Sequence, residues 1–478
     1  MPGEYSTPGK IVQLQFVAIQ ESSSTKDAGS RGFYRASGIL LYAEAVWLFF
    51  LPDAGLHYPF VDRKGVFMDL EMGLANDAAR LRTASVRQDQ RQYSEGLYPR
   101  FSEAEFARRY AAVRAGMQEV DLPVLLVYGT PPFASSEVQY LANFPVTREA
   151  FLVFPGEGEP ALFVQFYNHI PAARKMTHIA DLRWGGPDTV ASVIENVKGR
   201  GLMEGRVGLV GRIPVQQYET LRQGLPRATF VDFTPQMLQL RLIKSDEEIE
   251  FLRKGAGFCD LAIEALEREV RPGITEHELA AIVQGSYLGL GGRNTIHYMA
   301  TTPMSNPSAC VPAQFQSTRV LEKGDVLITE ISAHYLDGYP GQILRPFTVG
   351  APPTPQYQRM YEVAVETFNR IARVIRAGTS AEEVLDAAES IHDAGYTIYD
   401  DLVHGFGGGY LPPVLRTRRT SARPAAPFIF KQNMTIVIQP NIITGDERMG
   451  VQVGELLRVT GNGVESLHRY PMRFIQCG

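Results

Sequence analysis

Residues able to do acid–base or ligand chemistry crowd into one stretch of the chain, 324–347, which reads GDVLITEISAHYLDGYPGQILRPF. Apolar residues dominate it, yet Glu330, His334, Gln342 and Arg345 interrupt the pattern. A buried polar group without a partner costs about 1–3 kcal/mol. Four of them in one apolar stretch mark either a site or a solvent-facing rim. Further along, His404 opens a glycine run, HGFGGGY, whose backbone can approach another group closely. Gln439 ends the run MTIVIQP, and Glu455 sits inside VQVGELLRV. His297 and Tyr298 lie side by side in TIHYMAT. Taken alone, His404 and His297 read equally as structural histidines. Set beside Glu330, His404 suits proton transfer near neutral pH, where an unperturbed imidazole titrates.

The elements that must carry these residues can be read in outline. The stretch 324–347 predicts a β-hairpin. An apolar run follows Gly324-Asp325, Asp337-Gly338 supplies the turn, and the return strand holds Tyr339, Gln342 and Arg345. Upstream, Ser102 and Glu105 have capping-box spacing ahead of an amphipathic helix. An apolar strand ends at Gly129, with further strands at 150–154, 161–164, 207–210 and 229–232. Helices at 135–144, 189–198 and 215–223 alternate with them, which argues an α/β domain. A second capping box, Ser245 with Glu248, opens a long helix. EVRPGITEHELAAIV and VIRAGTSAEEVLDAA then form a near-repeat: an arginine, a glycine stop (Gly273, Gly378), a threonine cap (Thr275, Thr379) and a second helix. Each copy precedes a strand-rich stretch, so the second half reads as a pseudo-symmetric α+β domain with sheets facing a common centre.

Length and composition bound the rest. A chain of 478 residues suggests about two to four domains. With 45% hydrophobic and 21% charged residues and a net charge of −5, it is ordinary globular material, and nucleic acid is not an expected partner. The apolar run at 39–51 contains Glu44 and is too short to span a bilayer, leaving a buried helix or an interfacial segment. Cys259, Cys310 and Cys477 have neither disulfide nor metal-ligand spacing and fit a reducing cytoplasm. Residues 1–98 read as a poorly defined extension, 99–240 as the α/β domain, and 241–478 as the α+β domain.

The motifs of the second half resemble the creatinase, prolidase and aminopeptidase P family, whose larger domain has the pita-bread fold. In that family the hairpin reads GD-x-V-x-x-D-x-G-x-x-x-x-G-Y-x-x-D-x-x-R, which Gly324, Asp325, Gly338, Tyr339 and Arg345 match. The family's HGxG matches 404–407. NMTIVIQPN resembles its strand GMVFTIEPG, and VQVGELLRVTGNGVESL resembles VRIEDxxLVTxxGxExL. The resemblance runs from about residue 99 to 475 and implies a smaller creatinase-like N-terminal domain before the catalytic-type domain. It also implies a homodimer.

The departures decide the expected chemistry. The family's peptidases hold two metal ions with Asp, Asp, His, Glu and Glu. Those positions fall on Glu330, Gln342, His404, Gln439 and Gly454, with Glu455 one residue further on. The histidine these peptidases carry upstream of the hairpin is replaced by Val311-Pro312-Ala313-Gln314. Amides are weak substitutes for carboxylates around divalent cations, and glycine offers nothing. The resemblance is therefore closest to the metal-free logic of creatinase. It implies a hydrolase or lyase acting on a small polar substrate at a C–N bond, with no metal and no cofactor. In this reading His404, Glu330 and His297 carry acid–base roles, and Gln342, Gln439, Arg345, Tyr339 and Glu455 bind substrate. A metallopeptidase cleaving X–Pro bonds through an altered site, and a binding protein that lost catalysis, stand as the other two readings.

Overall fold

The computed structural model describes residues 98–131 and 136–478, together with the backbone of six short strands before them. The chain divides into two units, Met1–Arg91 and Gln92–Gly478. In the first, the strands pair antiparallel as three ribbons: Val12–Leu14 with Val46–Leu48, Gly32–Ala36 with Ile39–Ala43, and His57–Val61 with Phe67–Glu71. Ile39–Ala43 and Val46–Leu48 are thus strands where a helix was one expectation, in keeping with the β-branched and aromatic residues there. The rest of the extension expected over 1–98 lies outside the described residues.

The second unit begins with helix Glu103–Glu119, capped by the Ser102 side chain on the backbone N–H of Glu105. The reciprocal half of the capping box is not used, because the Glu105 carboxylate is taken by Arg108 and Arg109. A six-stranded sheet follows, in the spatial order Asp181–Trp184, Ala161–Val164, Ala150–Pro155, Val124–Gly129, Glu204–Val210, Arg227–Asp232. The three central strands are fully buried runs of Val, Leu, Phe and Ala, as expected of strands covered on both faces. Helix Ile170–Met176 and strand Asp181–Trp184 were not foreseen; the strand is an edge with two exposed residues and little apolar signal.

Helix Asp246–Glu269 opens the larger half behind the Ser245–Glu248 capping box, and helix Glu276–Leu288 behind the Thr275–Glu278 box. In the second copy of the repeat the cap is Ser380, paired with Glu383, one residue after the threonine expected. Thr379 instead turns its hydroxyl back onto the carbonyl of Val374. Ten of the strands that follow the two copies join one sheet, in which Gly454–Val459 pairs with Ile343–Leu344 and so closes the two halves together; Asn441–Ile443 and Gly450–Gln452 pair apart from it.

The hairpin lies at the middle of that sheet. Asp325–His334 is one strand, buried along its whole length. Gly338 takes the turn at φ +82°, the left-handed region open to glycine. The return strand is broken into Ile343–Leu344 and Phe347–Val349 by Arg345-Pro346, and both pieces pair with the first strand. Its back rests directly on helix Asp246–Glu269: a Cβ on Gly341 would strike the backbone of Ala256, and one on Gly255 would strike the carbonyl oxygen of Tyr339 at 2.8 Å. Two glycines therefore set the contact that fixes the hairpin against its supporting helix. Among the described residues no helix is long and apolar enough to cross a membrane, and the three cysteines are buried and unpaired.

Candidate active site

Residues of this sheet and of the smaller α/β half line a cavity of about 930 Å³. Glu330, Gln342, His404 and Gln439 reach it from four strands or strand ends, so the structure brings together the four residues on which the sequence reading most depended. At their centre is Gln342. Its amide nitrogen donates to Glu330 Oε1 at 3.2 Å and to Gln439 Oε1 at 2.7 Å, and stands 3.5 Å from His404 Nε2. Glu330 does not touch His404; the glutamine amide bridges them. His404 Nδ1 lies 3.2 Å from the Gly405 carbonyl and Nε2 lies 3.3 Å from Gln439 Oε1; both oxygens can only accept, so the single proton of the neutral ring serves one of them, and with the proton on Nδ1 the lone pair is at Nε2. The Tyr410 ring stacks on the imidazole with centroids 4.4 Å apart.

Asp400 and Asp401, four and three residues before His404, add two carboxylates to the lining of the cavity. Tyr410 Oη donates to Asp401 Oδ2 at 2.9 Å, Gln452 Nε2 to Asp400 Oδ2 at 3.3 Å, and Gln439 Nε2 to the Asp401 carbonyl at 3.3 Å. The sequence reading passed over this pair. Its signal was two consecutive acids running into a buried strand with no basic residue beside them. Tyr298 also lines the cavity, on the strand Arg293–Pro303, directly across from Glu330.

The electrostatics follow from burial without counter-charge. Burial pushes the Glu330 carboxyl up to about 8, and the facing Asp400 and Asp401 add to it. Burial and then Asp401 raise Asp400 to about 6. Burial drives the His404 imidazole down to about 4, against the opposing pull of its bonds to Gly405 and Gln439. At neutral pH the site thus holds a protonated glutamic acid beside a neutral imidazole.

Four expected site residues are placed elsewhere. His297 alternates with Tyr298 on its strand, so the pleat turns it to the other face, where Tyr287 Oη sits 2.6 Å from Nε2. That corrects its catalytic assignment. Arg345 is fully buried behind the sheet, donating to Glu455 at 2.6 Å and to the carbonyls of Leu344, Gly454, Tyr470 and Pro471. Both Arg345 and Glu455 are spent on each other and do not line the cavity, which corrects their substrate-binding assignment. Tyr339 is buried too, donating to Glu248 at 2.8 Å and accepting from Arg109 at 3.1 Å.

The donor set does not fit a dinuclear metal centre. Of the five family positions only Glu330 and His404 offer a metal-binding group of the usual kind. Gly454 is more than a missing side chain: a Cβ there would run into the Ile438 carbonyl oxygen and come within 2.8 Å of the Gln439 Cα. The two strands have closed over the place a ligand would need. Among the described residues no group of three or more His, Cys, Asp or Glu is arranged to hold a metal ion.

Comparison with known proteins assigns the two halves. Residues 109–243 match the creatinase/prolidase N-terminal domain, and residues 250–461 match metallopeptidase family M24. The chain is 27% identical over 331 residues to an Xaa-Pro dipeptidase of Pyrococcus furiosus, covering 69% of this chain and 90% of that protein. It is 25% identical over 385 residues to a probable dipeptidase of Mycobacterium bovis, covering 79% and 98%. Among solved structures, an Xaa-Pro dipeptidase from Bacillus anthracis superposes with a TM-score of 0.66 at 22% identity, covering 78% of this chain and 99% of that one. An X-Pro aminopeptidase from Thermotoga maritima gives 0.67 at 19%, covering 77% and 99%. At those identities the structural likeness speaks for the fold alone.

Proposed function

The chain belongs to the creatinase, prolidase and aminopeptidase P family of hydrolases, and from that premise we propose that it cleaves a C–N bond of a small polar substrate using its own side chains. The observation that carries the reading is the pairing of a carboxyl held protonated at neutral pH with an imidazole held neutral, bridged by one amide. Environments that drive two titratable groups apart in this way mark an acid and a base.

The steps balance with water as the only co-reactant. The His404 Nε2 lone pair takes a proton from the attacking water as its oxygen bonds to the substrate carbon. Glu330 delivers its proton to the departing nitrogen as the C–N bond breaks. The imidazolium then returns its proton to the Glu330 carboxylate, restoring the starting state. Gln342 and Gln439 hold substrate and catalytic groups in register without adding charge. General acid–base catalysis of this kind contributes about 10²- to 10⁴-fold. By the same reading the protein works on small molecules as a homodimer in a reducing cytoplasm.

The test is amine release by enzyme dialysed against EDTA, with N-alkylguanidines, N-acyl amines and Xaa-Pro dipeptides offered in parallel. We expect turnover that is indifferent to added metal and lost in Glu330→Gln. A second reading, an Xaa-Pro metallopeptidase with an altered site, is favoured by the names of the sequence relatives. Activity that appears only with about two equivalents of bound Mn, Co or Zn, one for each ion of a dinuclear centre, would establish it instead.

A further inference from the structure

We propose that Asp400 and Asp401 form a subsite for the cationic, N–H-bearing head of the substrate, a protonated amine or a guanidinium. The inference rests on the reading of this cavity as the reaction site, and it adds the charge and hydrogen-bonding character of what enters.

The cavity is lined by five carboxylates, Glu137, Glu330, Asp337, Asp400 and Asp401, against two arginines, Arg212 and Arg241. Arg241 is already committed, to Glu137 at 2.7 Å and to the Gly408 carbonyl. Elsewhere in the same half Asp325 is matched with Arg319 and Glu455 with Arg345, both at 2.6 Å, while buried Glu276 has each oxygen filled by a hydroxyl and a backbone N–H of Thr301 or Ser317. Glu330, Asp400 and Asp401 make no ion pair with any described residue. What they have are neutral donors: Gln342 for Glu330, Gln452 and a backbone N–H for Asp400, Tyr410 for Asp401. Asp400 and Asp401 also share a hydrogen bond between their side chains.

An independent observation points the same way. Gln342 is 1% exposed, yet its Oε1 has no hydrogen-bond partner. Its amide nitrogen is spent on Gln439 and Glu330, so the side chain cannot be flipped to cure the vacancy without breaking the short 2.7 Å bond. A buried acceptor left open on the wall of a cavity awaits a donor from whatever fills it. The wall therefore offers acceptors and negative charge together. The aromatic rings of Tyr298, Tyr399 and Tyr410 line the same space and favour a cation over a neutral donor. Since the acids are not grouped to hold a metal ion, the cation that fits is an organic one.

The experiment is isothermal titration calorimetry on the full-length protein at pH 7.5. The probes are propylguanidinium, propylammonium, neutral propylurea, and trimethylpropylammonium, which keeps the charge and has no N–H. We expect at least one of the two N–H cations to bind ten-fold or more tighter than both propylurea and the trimethyl cation. Which of the two wins identifies the head group. Asp401→Asn should weaken that cation ten-fold or more while leaving the melting temperature in place. Equal binding of propylurea, or undiminished cation binding by the Asp400→Asn/Asp401→Asn protein, would overturn the proposal. Should that double variant not fold, the probe comparison on the unaltered protein decides alone. Turnover of a neutral substrate without cation preference would sink the subsite and leave the hydrolase standing; cation binding without any turnover would do the reverse.

Discussion

Two groups of buried charges in this chain are built on opposite terms. Where helix Glu103–Glu119 meets helix Asp246–Glu269, the buried charges of Arg109, Glu105 and Glu248 answer one another. Arg109, fully buried, sits 2.7 Å from Glu105 and 3.2 Å from Glu248, and Phe101 covers its guanidinium face at 3.9 Å. Burial alone would raise the Glu105 carboxyl, but Arg108 and Arg109 together hold it below its ordinary value. In the cavity, Glu330, Asp400 and Asp401 are turned toward one another with no arginine between them, and Glu330 rises to about 8. The first arrangement is complete without a ligand and serves to join two parts of the chain. The second is incomplete, and what it lacks is what a substrate would bring. An ionised side chain in a protein interior is kept in that state by a partner or gives up its charge, so the state of compensation separates structure from function more sharply than burial does.

The comparison breaks most directly at His404. His404→Ala should cut turnover about 10²- to 10⁴-fold, the range for removing a general base. Urea unfolding of the same protein should shift less than at the junction, because the buried imidazole makes no ion pair and holds a carbonyl contact, two amide contacts and the rings of Tyr410 and Phe406. A matching loss of stability would place His404 with the structural charges instead. The mirror experiment is Glu248→Ala at the junction. It leaves Arg109 short of one carboxylate and Tyr339 without an acceptor, and it removes a helix cap. A loss of about 3–5 kcal/mol is expected from uncovering a buried ion pair, read as a lower urea midpoint at unchanged slope.

The pH dependence of stability sharpens the contrast. Folded Glu330 titrates near 8 and the unfolded side chain near 4.5. Between those values the folded state holds a proton that the unfolded state has released. Its contribution is therefore fully present below about 4.5 and is lost as the pH rises through about 8. Glu330→Gln cannot titrate. The stability of the unaltered protein should fall relative to that variant by on the order of 2–3 kcal/mol between pH 5 and 7, at about 1.4 kcal/mol per unit. His404 works in the opposite sense, its contribution being lost as the pH falls from about 6.5 through about 4, but it is common to both proteins and cancels in the difference. Parallel melting curves at pH 5, 6, 7 and 8 measure it. A flat difference would mean that Glu330 is compensated after all.

Much of this was legible in the residues. The capping boxes at Ser245 and Thr275 place two helix starts, and unbroken apolar runs place the three central strands of the smaller sheet. The convergence of Glu330, Gln342, His404 and Gln439 followed from motif positions. The errors came where one dimension of sequence hides a direction in space. His297 and Tyr298 are neighbours in the chain, but a pleat separates them by a whole face of the sheet. Arg345 and Glu455 lie 110 positions apart, and only the pairing of Ile343–Leu344 with Gly454–Val459 brings them to 2.6 Å. Asp400 and Asp401 carry no motif, and their meaning lies in the absence of a counter-charge, which only folding reveals.

The finest test makes one substitution in both regions. Tyr410 and Tyr339 each donate a hydroxyl hydrogen to a carboxylate, at 2.9 Å to Asp401 and at 2.8 Å to Glu248. Tyr339 is 1% exposed and Tyr410 53% exposed. Tyr339→Phe removes the hydroxyl shared by a buried Glu248 oxygen and a buried Arg109 nitrogen, which are left with each other at 3.2 Å and with no water to replace the lost bonds, so a loss of about 1–3 kcal/mol in unfolding free energy, read as a lower urea midpoint, is expected. Tyr410→Phe leaves a carboxylate that faces an open cavity, where water takes the place of the hydroxyl. Its stability cost should be about 0.5 kcal/mol or less, while cation affinity falls a few-fold as Asp401 loses the group that orients it. If the two variants lost equal stability, the cavity acids would be as fully structural as those at the junction, and the distinction between the regions would collapse. Unequal losses, with binding affected only at Tyr410, are what an incomplete site requires: its hydrogen bonds arrange charge for a ligand rather than hold the chain together.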